Sequence, residues 1–366
     1  MSYYSNRSAD NFTTSPRELS TFSCPFLSDT TTVKGVKIFC YSLVLLIAVI
    51  GNSLLIGVIK RNKKMKTITN YLIANMAVSD ILSTLAAVPR QITYIMLEPQ
   101  RWLFTEMFGS VLCKSISFFQ DVSTAVSIFS ILAIALDRYR GIVFPLRETN
   151  TKPTKSCKII IPLIWIVPVG LHAVYFYIFH LKTSDNKVYC VIDWGSKFDA
   201  KRSVEIYYII LVTFEIYIPL CLVTWLYSAI VMNLKRSAIG KHRGPSSCRT
   251  SRRIREDRKV VNNIIAIVIA FMVSSIPINV IGILYYFVWD WNMPCGVENF
   301  GFAAHFIFYS NPSMNPCIYF ALNDKYRHGL VKMFKTMVFF RKVENNDSKT
   351  SEKETLNRKT WSSTFV

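Results

Sequence analysis

The sequence predicts an all-α membrane protein: a seven-transmembrane helix bundle with a short amphipathic helix after the last span. Three observations carry that prediction. The chain holds seven apolar stretches long enough to cross a bilayer, charged residues are scarce, and basic residues collect in alternate connections. Of 366 residues, 51% are hydrophobic and 18% charged, against about 25% charged in ordinary soluble domains. A hydrocarbon core of about 30 Å takes roughly 20 apolar residues of helix. Such stretches run over about 36–59, 68–96, 110–136, 158–180, 204–234, 260–289 and 299–321.

Residues 1–35 precede the first span and are polar. They contain two glycosylation sequons, at Asn6 and Asn11, and lack the apolar core of a cleavable leader. The first span, "IFCYSLVLLIAVIGNSLLIGVI", therefore serves as the insertion signal. Amide, hydroxyl and carboxyl groups inside spans are costly and face the bundle interior. Asn52 lies in span one, Asn75 and Asp80 in span two, Ser127 in span three, and Asn311 and Asn315 one turn apart in span seven. If the spans pack together, these groups share one polar pocket around the Asp80 carboxylate, which needs donors or a bound cation to stay ionised.

Span three ends in "LDRYRGIVFPL", where Asp137 neighbours Arg138. Span six begins with "REDRKVV", which offers Asp257 as a second partner for Arg138. Exposed pairs of this kind contribute only about 0–1 kcal/mol, which suits a contact that must break. Within span six, "FMVSSIPINV" carries Pro277. In lipid a proline kinks rather than ends a helix, because hydroxyls and neighbours re-satisfy the freed carbonyl. Ser274 and Ser275 stand where such hydroxyls serve. Segment 323–340 comes after the membrane domain of 36–322. In it, Tyr326, Leu330, Met333 and Phe334 share one face of an amphipathic surface helix. Segment 341–366 is a polar, Ser- and Thr-rich tail expected to be disordered.

The net charge of +20 does not point to nucleic acid. Most Lys and Arg fall in 60–66, 138–158, 235–259 and 323–366. This is the positive-inside pattern, and it places the N-terminus outside and the C-terminus in the cytoplasm. Of nine cysteines, Cys24, Cys113, Cys190 and Cys295 fall on the outer, oxidising side. Four cysteines allow three pairings, and spacing does not choose among them.

Together, "GNSLL", "LIANMAVSD", Cys113, "DRYRGIVFPL", Trp165, Cys190, Pro219, Tyr227, "FMVSSIP" and "NPCIY", in this order, resemble the rhodopsin-like (class A) G-protein-coupled receptors. The resemblance covers about 36–335 and implies roles at the matching positions. Cys113–Cys190 resembles the disulfide that pins the second outer loop to span three. Asp137, Arg138 and Tyr139 resemble the motif whose arginine leaves its acid and meets the G protein. Leu146 resembles the apolar knob that docks there. Tyr227 and Tyr319 look like the tyrosines that close the inner core on activation. Ile128, Pro219 and Phe271 look like the packing switch beside the Pro277 hinge. Asp80, Ser127, Asn311 and Asn315 look like an allosteric sodium pocket; no other cofactor is implied. Cys24 and Cys295 match a second disulfide of some peptide receptors. One departure stands out: the tryptophan usual two residues before the sixth-span proline is Ser275 here.

The same resemblance bears on the ligand. Tyr309 stands where opsins carry the retinal lysine, and Gln120 where amine receptors carry aspartate. Asp121 is turned about 100° from Gln120 along the helix. A glutamine at this place resembles neuropeptide receptors. The remaining pocket candidates are Gln91, Glu215, Asn279, Tyr285, His305 and Tyr309, with Glu215 read as an unpaired acid in a span. The loop at 181–203 reads as a hairpin over the pocket. A peptide agonist is the reading, with a lipid or other small molecule as the alternative. Expected partners are a heterotrimeric G protein, receptor kinases and arrestin on the tail, and a PDZ domain at the terminal Thr364-Phe365-Val366. The expected location is the plasma membrane. No catalytic constellation is present in the sequence. A transporter or channel is the rival class, disfavoured by the lack of an internal repeat.

Overall fold

A computed structural model describes residues 29–97, 101–144, 153–239 and 247–335, without the side chains at 64, 153–154, 237–239 and 247–257. Asn6, Asn11, Cys24, Leu146, the Asp257 side chain and the tail fall outside the described residues. Seven long helical segments succeed one another. The first is Thr31–Arg61, begun by Thr30, whose hydroxyl accepts from the Val33 N–H. The second is Ile68–Met96, begun in the same way by Thr67 and Asn70. The third is Glu106–Val143, and the fourth is Pro153–His172 with one more turn after it, Tyr175–Ile178. The fifth runs through Ala200–Leu211, Val212–Tyr217 and Ile218–Ile239. The sixth is Ser247–Ile283 and continues through Leu284–Val288, and the seventh is Glu298–Leu322. A further helix covers 324–335.

Several helices outrun their apolar stretches, because hydropathy marks only the part that meets lipid. The third ends at Phe144, which precedes Pro145, and a residue before proline avoids the helical region. Among the described residues, six helices are long and apolar enough to cross a membrane. The seventh is long enough but carries buried Ser310, Asn311, Ser313 and Asn315. Outward-facing residues such as Phe39, Ile159 and Trp225 are 60% or more exposed, as a lipid-facing surface requires.

The helices tolerate their prolines by local adjustment. Pro219 has no N–H and its ring crowds the carbonyl of Glu215. The wide π turn Val212–Tyr217 lies directly before it and makes room by holding one extra residue. Around Pro277 the solution differs from the serine hydroxyls expected. Ser274 donates to the Phe271 carbonyl at 2.9 Å, the Ser275 hydroxyl has no protein partner among the described residues, and Asn279 Nδ2 donates to the Ser275 carbonyl at 2.8 Å. Neither bond goes to the Val273 carbonyl, the one Pro277 leaves without its helical donor; the Asn279 amide instead adds a donor at the Ser275 carbonyl.

Close approaches fix the bundle. A Cβ on Gly51 would stand 2.7 Å from the Pro316 ring, so glycine lets spans one and seven touch. Tyr326 and Met333 of the last helix are buried, and Met333 lies against Gly57 of span one. At the opposite end of the bundle sits a small antiparallel sheet. Strands β1 (Arg101–Trp102), β2 (Phe179–Ser184) and β3 (Lys187–Ile192) lie in the order β1-β3-β2. β2 and β3 form a hairpin whose two-residue turn, Asp185-Asn186, has positive φ at both positions (50° and 57°). Asp and Asn accept that conformation more readily than other non-glycine residues. A disulfide joins Cys190 of β3 to Cys113 of span three, with 5.8 Å between the Cα atoms.

Candidate functional site

Beneath the hairpin lies a cavity of about 610 Å³ walled by spans one, two, three, five, six and seven. Concave, mainly apolar sites with a few polar groups are where small ligands and peptide ends bind. Gln91, Gln120, Asp121, Tyr285, His305 and Tyr309 line it. Gln120 Nε2 donates to the Tyr309 hydroxyl and to Asp121 Oδ1, each at 3.2 Å, and Tyr175 donates to Asp121 Oδ2 at 2.7 Å. Asp121 thus pairs with a neighbouring helix and faces the cavity as well. Toward the mouth, Lys37 pairs with Asp29 at 2.6 Å and lies over the Phe302 ring.

Two expected ligand residues fall elsewhere. Glu215 is not an unpaired acid: His172 Nε2 lies 3.0 Å from its Oε1, and both side chains are buried behind the cavity wall. Asn279 donates its side-chain amide to the Ser275 carbonyl and is also outside the wall; its own carbonyl accepts from Tyr208 at 3.2 Å. Sequence reasoning missed Arg90, which lines the cavity and whose Nη1 donates to Ser117 Oγ at 2.9 Å. A basic residue near a span end reads as an ordinary interfacial anchor, so only its position on the wall sets it apart.

Midway along the bundle, Asp80 is buried at 2% exposure. Ser127 donates to its Oδ1 and Asn315 Nδ2 to its Oδ2, both at 2.8 Å. Asn311 lines the same small void, and the Oδ1 atoms of Asn311 and Asn315 are buried with no protein partner among the described residues. One carboxylate with unspent amide and hydroxyl oxygens is an oxygen-only donor set, which fits a hard cation such as sodium. Two amides expected here are used otherwise. Asn75 bridges Ser130 and Trp165 at 3.0 Å each, linking spans two, three and four, and Asn52 donates to the Ala48 and Pro312 carbonyls.

At the end away from the sheet, Arg138 folds onto Asp137 through Nε at 3.2 Å and Nη2 at 2.6 Å. Thr69 of span two donates to the same Asp137 oxygen at 2.6 Å. Lys259 at the start of span six reaches Asp324, just past span seven, at 2.8 Å. Tyr227 and Tyr319 are buried nearby, and their hydroxyls have no protein partner among the described residues.

The amino-acid sequence matches a known family. The profile of the seven-transmembrane receptors of the rhodopsin family matches residues 51–319. The chain belongs to that family. The receptor is similar to the substance-P receptor of Cavia porcellus, 27% identical over 82% of this chain and 70% of that one. It is 29% identical to the substance-P receptor of Rattus norvegicus over the same shares. It is 27% identical to the substance-K receptor of Mus musculus over 81% of this chain and 74% of that one.

The receptor is therefore a multi-pass membrane protein and not an enzyme. Its packing elements occupy a common interior: Ile128, Pro219, Phe271 and Ser275 are all buried. Ser275, in place of the family's tryptophan, is 2% exposed. The serine therefore leaves no large opening to solvent. Tyr139 is half-buried and packs its ring 5.9 Å from Trp225. Cys295 is disulfide-bonded, and Cys24, the partner expected for it, lies outside the described residues.

Proposed function

We propose that this receptor binds an extracellular peptide in the cavity under the hairpin and activates a heterotrimeric G protein at the Arg138 end. The observation that carries this reading is the cavity itself. It is large, bordered by both signs of charge and by aromatic rings, and covered at one side by a sheet that does not fill it. The similarity to receptors named for substance P and substance K supports a peptide over a lipid. The positive-inside pattern puts the hairpin outside and Arg138 inside.

Ligand binding shifts a two-state bundle. In the state described, Arg138 is held by Asp137, and opening of the inner ends releases it to the G protein. Asp80, Ser127, Asn311 and Asn315 would hold a sodium ion that favours this closed state. Receptor kinases and arrestin act on the tail through added phosphate, and the terminal valine suits a PDZ groove. Arg138→Ala is expected to abolish agonist-driven nucleotide exchange while leaving agonist affinity within about threefold of wild type. Full signalling by that variant, with a peptide found by screening a library against a G-protein reporter, would refute the coupling role.

A further inference from the structure

The cavity holds a cation whose charge no neighbouring acid takes up. Arg90 lines the wall, and its one hydrogen bond is to the neutral Ser117 hydroxyl. Among the described residues no carboxylate pairs with it. Asp121, an acid on the same wall, already accepts from Tyr175 and Gln120. The guanidinium therefore keeps most of its five donors for something that enters the cavity.

A second group points to the same visitor. Gln120 is 7% exposed, and its Oε1 has no protein partner among the described residues. Its orientation is set by chemistry. Asp121 and the Tyr309 oxygen both sit at the amide nitrogen, and a carboxylate accepts only, so turning the amide over would set oxygen against oxygen. Oε1 is left as a buried acceptor without a protein donor, which a ligand N–H reaches once the Gln120 side chain turns toward the cavity. Arg90 donates to Ser117, which lies one turn before Gln120 on span three and so on the same side of that helix. The wall thus offers a fork of cationic donors and, close by, one obligate acceptor.

We infer that this is a subsite for a ligand carboxylate, held by Arg90, with an N–H of the same ligand residue donated to Gln120 Oε1. The C-terminal residue of a peptide carries that pair, N–H and carboxylate, across a single Cα; an acidic side chain within the peptide is the other source. An arginine–carboxylate pair is charge-assisted and frequently bidentate, whereas a carboxamide lacks the charge. The inference rests on the peptide reading for the identity of the ligand but not for the chemistry of the subsite.

The test uses the full-length receptor in cells with a G-protein reporter. Synthetic peptides are supplied in matched free-acid and C-terminally amidated forms, with and without Asp or Glu. Small carboxylic acids and their primary amides form a parallel set. The best agonist is expected to carry an acid, with a potency advantage of about 10- to 100-fold over its amide. In Arg90→Gln that ratio should fall to near one, and in Arg90→Lys it should be partly restored. Because it is a ratio within one variant, it does not depend on expression. A free terminus as the source gives a loss on amidation; a side-chain source gives a loss on Asp→Asn or Glu→Gln in the peptide. Agonists that are acids but not peptides would remove the peptide reading and keep the subsite. An acid-free amidated peptide as the best agonist, an acid-to-amide ratio unchanged in Arg90→Gln, or a screen in which no acid of either set is an agonist would each overturn it.

Discussion

Single side chains decide how tightly the resting state is held. Thr69 and Arg138 both donate to one oxygen of Asp137, each at 2.6 Å. The threonine hydroxyl orients the carboxylate that restrains the arginine. Thr69→Val removes that bond while keeping the shape, at a cost of about 1 kcal/mol to the restrained state. Agonist-free nucleotide exchange should rise about fivefold; unchanged basal exchange in purified receptor would show that the hydroxyl plays no part. At this scale the sequence was readable where polarity interrupts lipid-facing runs. Asp80, Ser127 and Asn315 stood out for that reason and are joined by hydrogen bonds. Glu215 was misread because its partner, His172, is 43 residues away, and no periodicity relates two separate helices.

Helices and strands show a different limit of legibility. The spans announce themselves through length and apolarity, since an unbroken apolar run of roughly 20 residues satisfies its own backbone in lipid only as a helix, whereas barrel strands are about half that length and alternate in polarity. Their departures from regularity do not. The π turn before Pro219 has no signature beyond the proline itself. The hairpin was expected only as a loop over 181–203, whereas its strands occupy 179–192 and its turn is Asp185-Asn186. The sixth span combines both kinds. Pro277 was visible, yet the bond from Asn279 to the Ser275 carbonyl depends on a rotamer that sequence does not reveal. Because Ser275 is 2% exposed, an indole there must displace its neighbours. Overpacking of this sort costs about 1–3 kcal/mol. Ser275→Trp should therefore lower the melting temperature of the detergent-solubilised receptor. An unaltered melting temperature would mean that the interior has kept space for the family's usual side chain.

Over the whole molecule, the ligand cavity, the Asp80 pocket and the Arg138 end each include a residue of span three: Gln120, Ser127 and Arg138. Coupling between such sites is reciprocal: an ion that favours the closed state must lower agonist affinity by the factor by which agonist lowers ion affinity. Asp80→Asn removes the one carboxylate of the proposed ion site but retains a partner for Ser127 and Asn315. Agonist affinity in the wild type should fall on exchanging potassium for sodium, by about fivefold if the coupling is near 1 kcal/mol. The variant should show no such dependence. A wild-type affinity indifferent to sodium, or a variant that keeps the dependence, would remove the ion from the account. The succession of seven spans was legible because length and apolarity mark each of them. Which cavity-facing residues meet a ligand was not, because that depends on how seven cylinders rotate against one another.

The two residues of β1 reach further than their length suggests. By pairing Arg101 with Tyr189 and Trp102 with Val188, they occupy the side of β3 that β2 leaves open. An incoming extended chain finds that backbone template taken along Val188 and Tyr189, while Cys190 next to them is tethered to span three. A peptide therefore cannot add as a strand beside Val188 and Tyr189, and in the order β1-β3-β2 the edges left to it are those of β1 and β2.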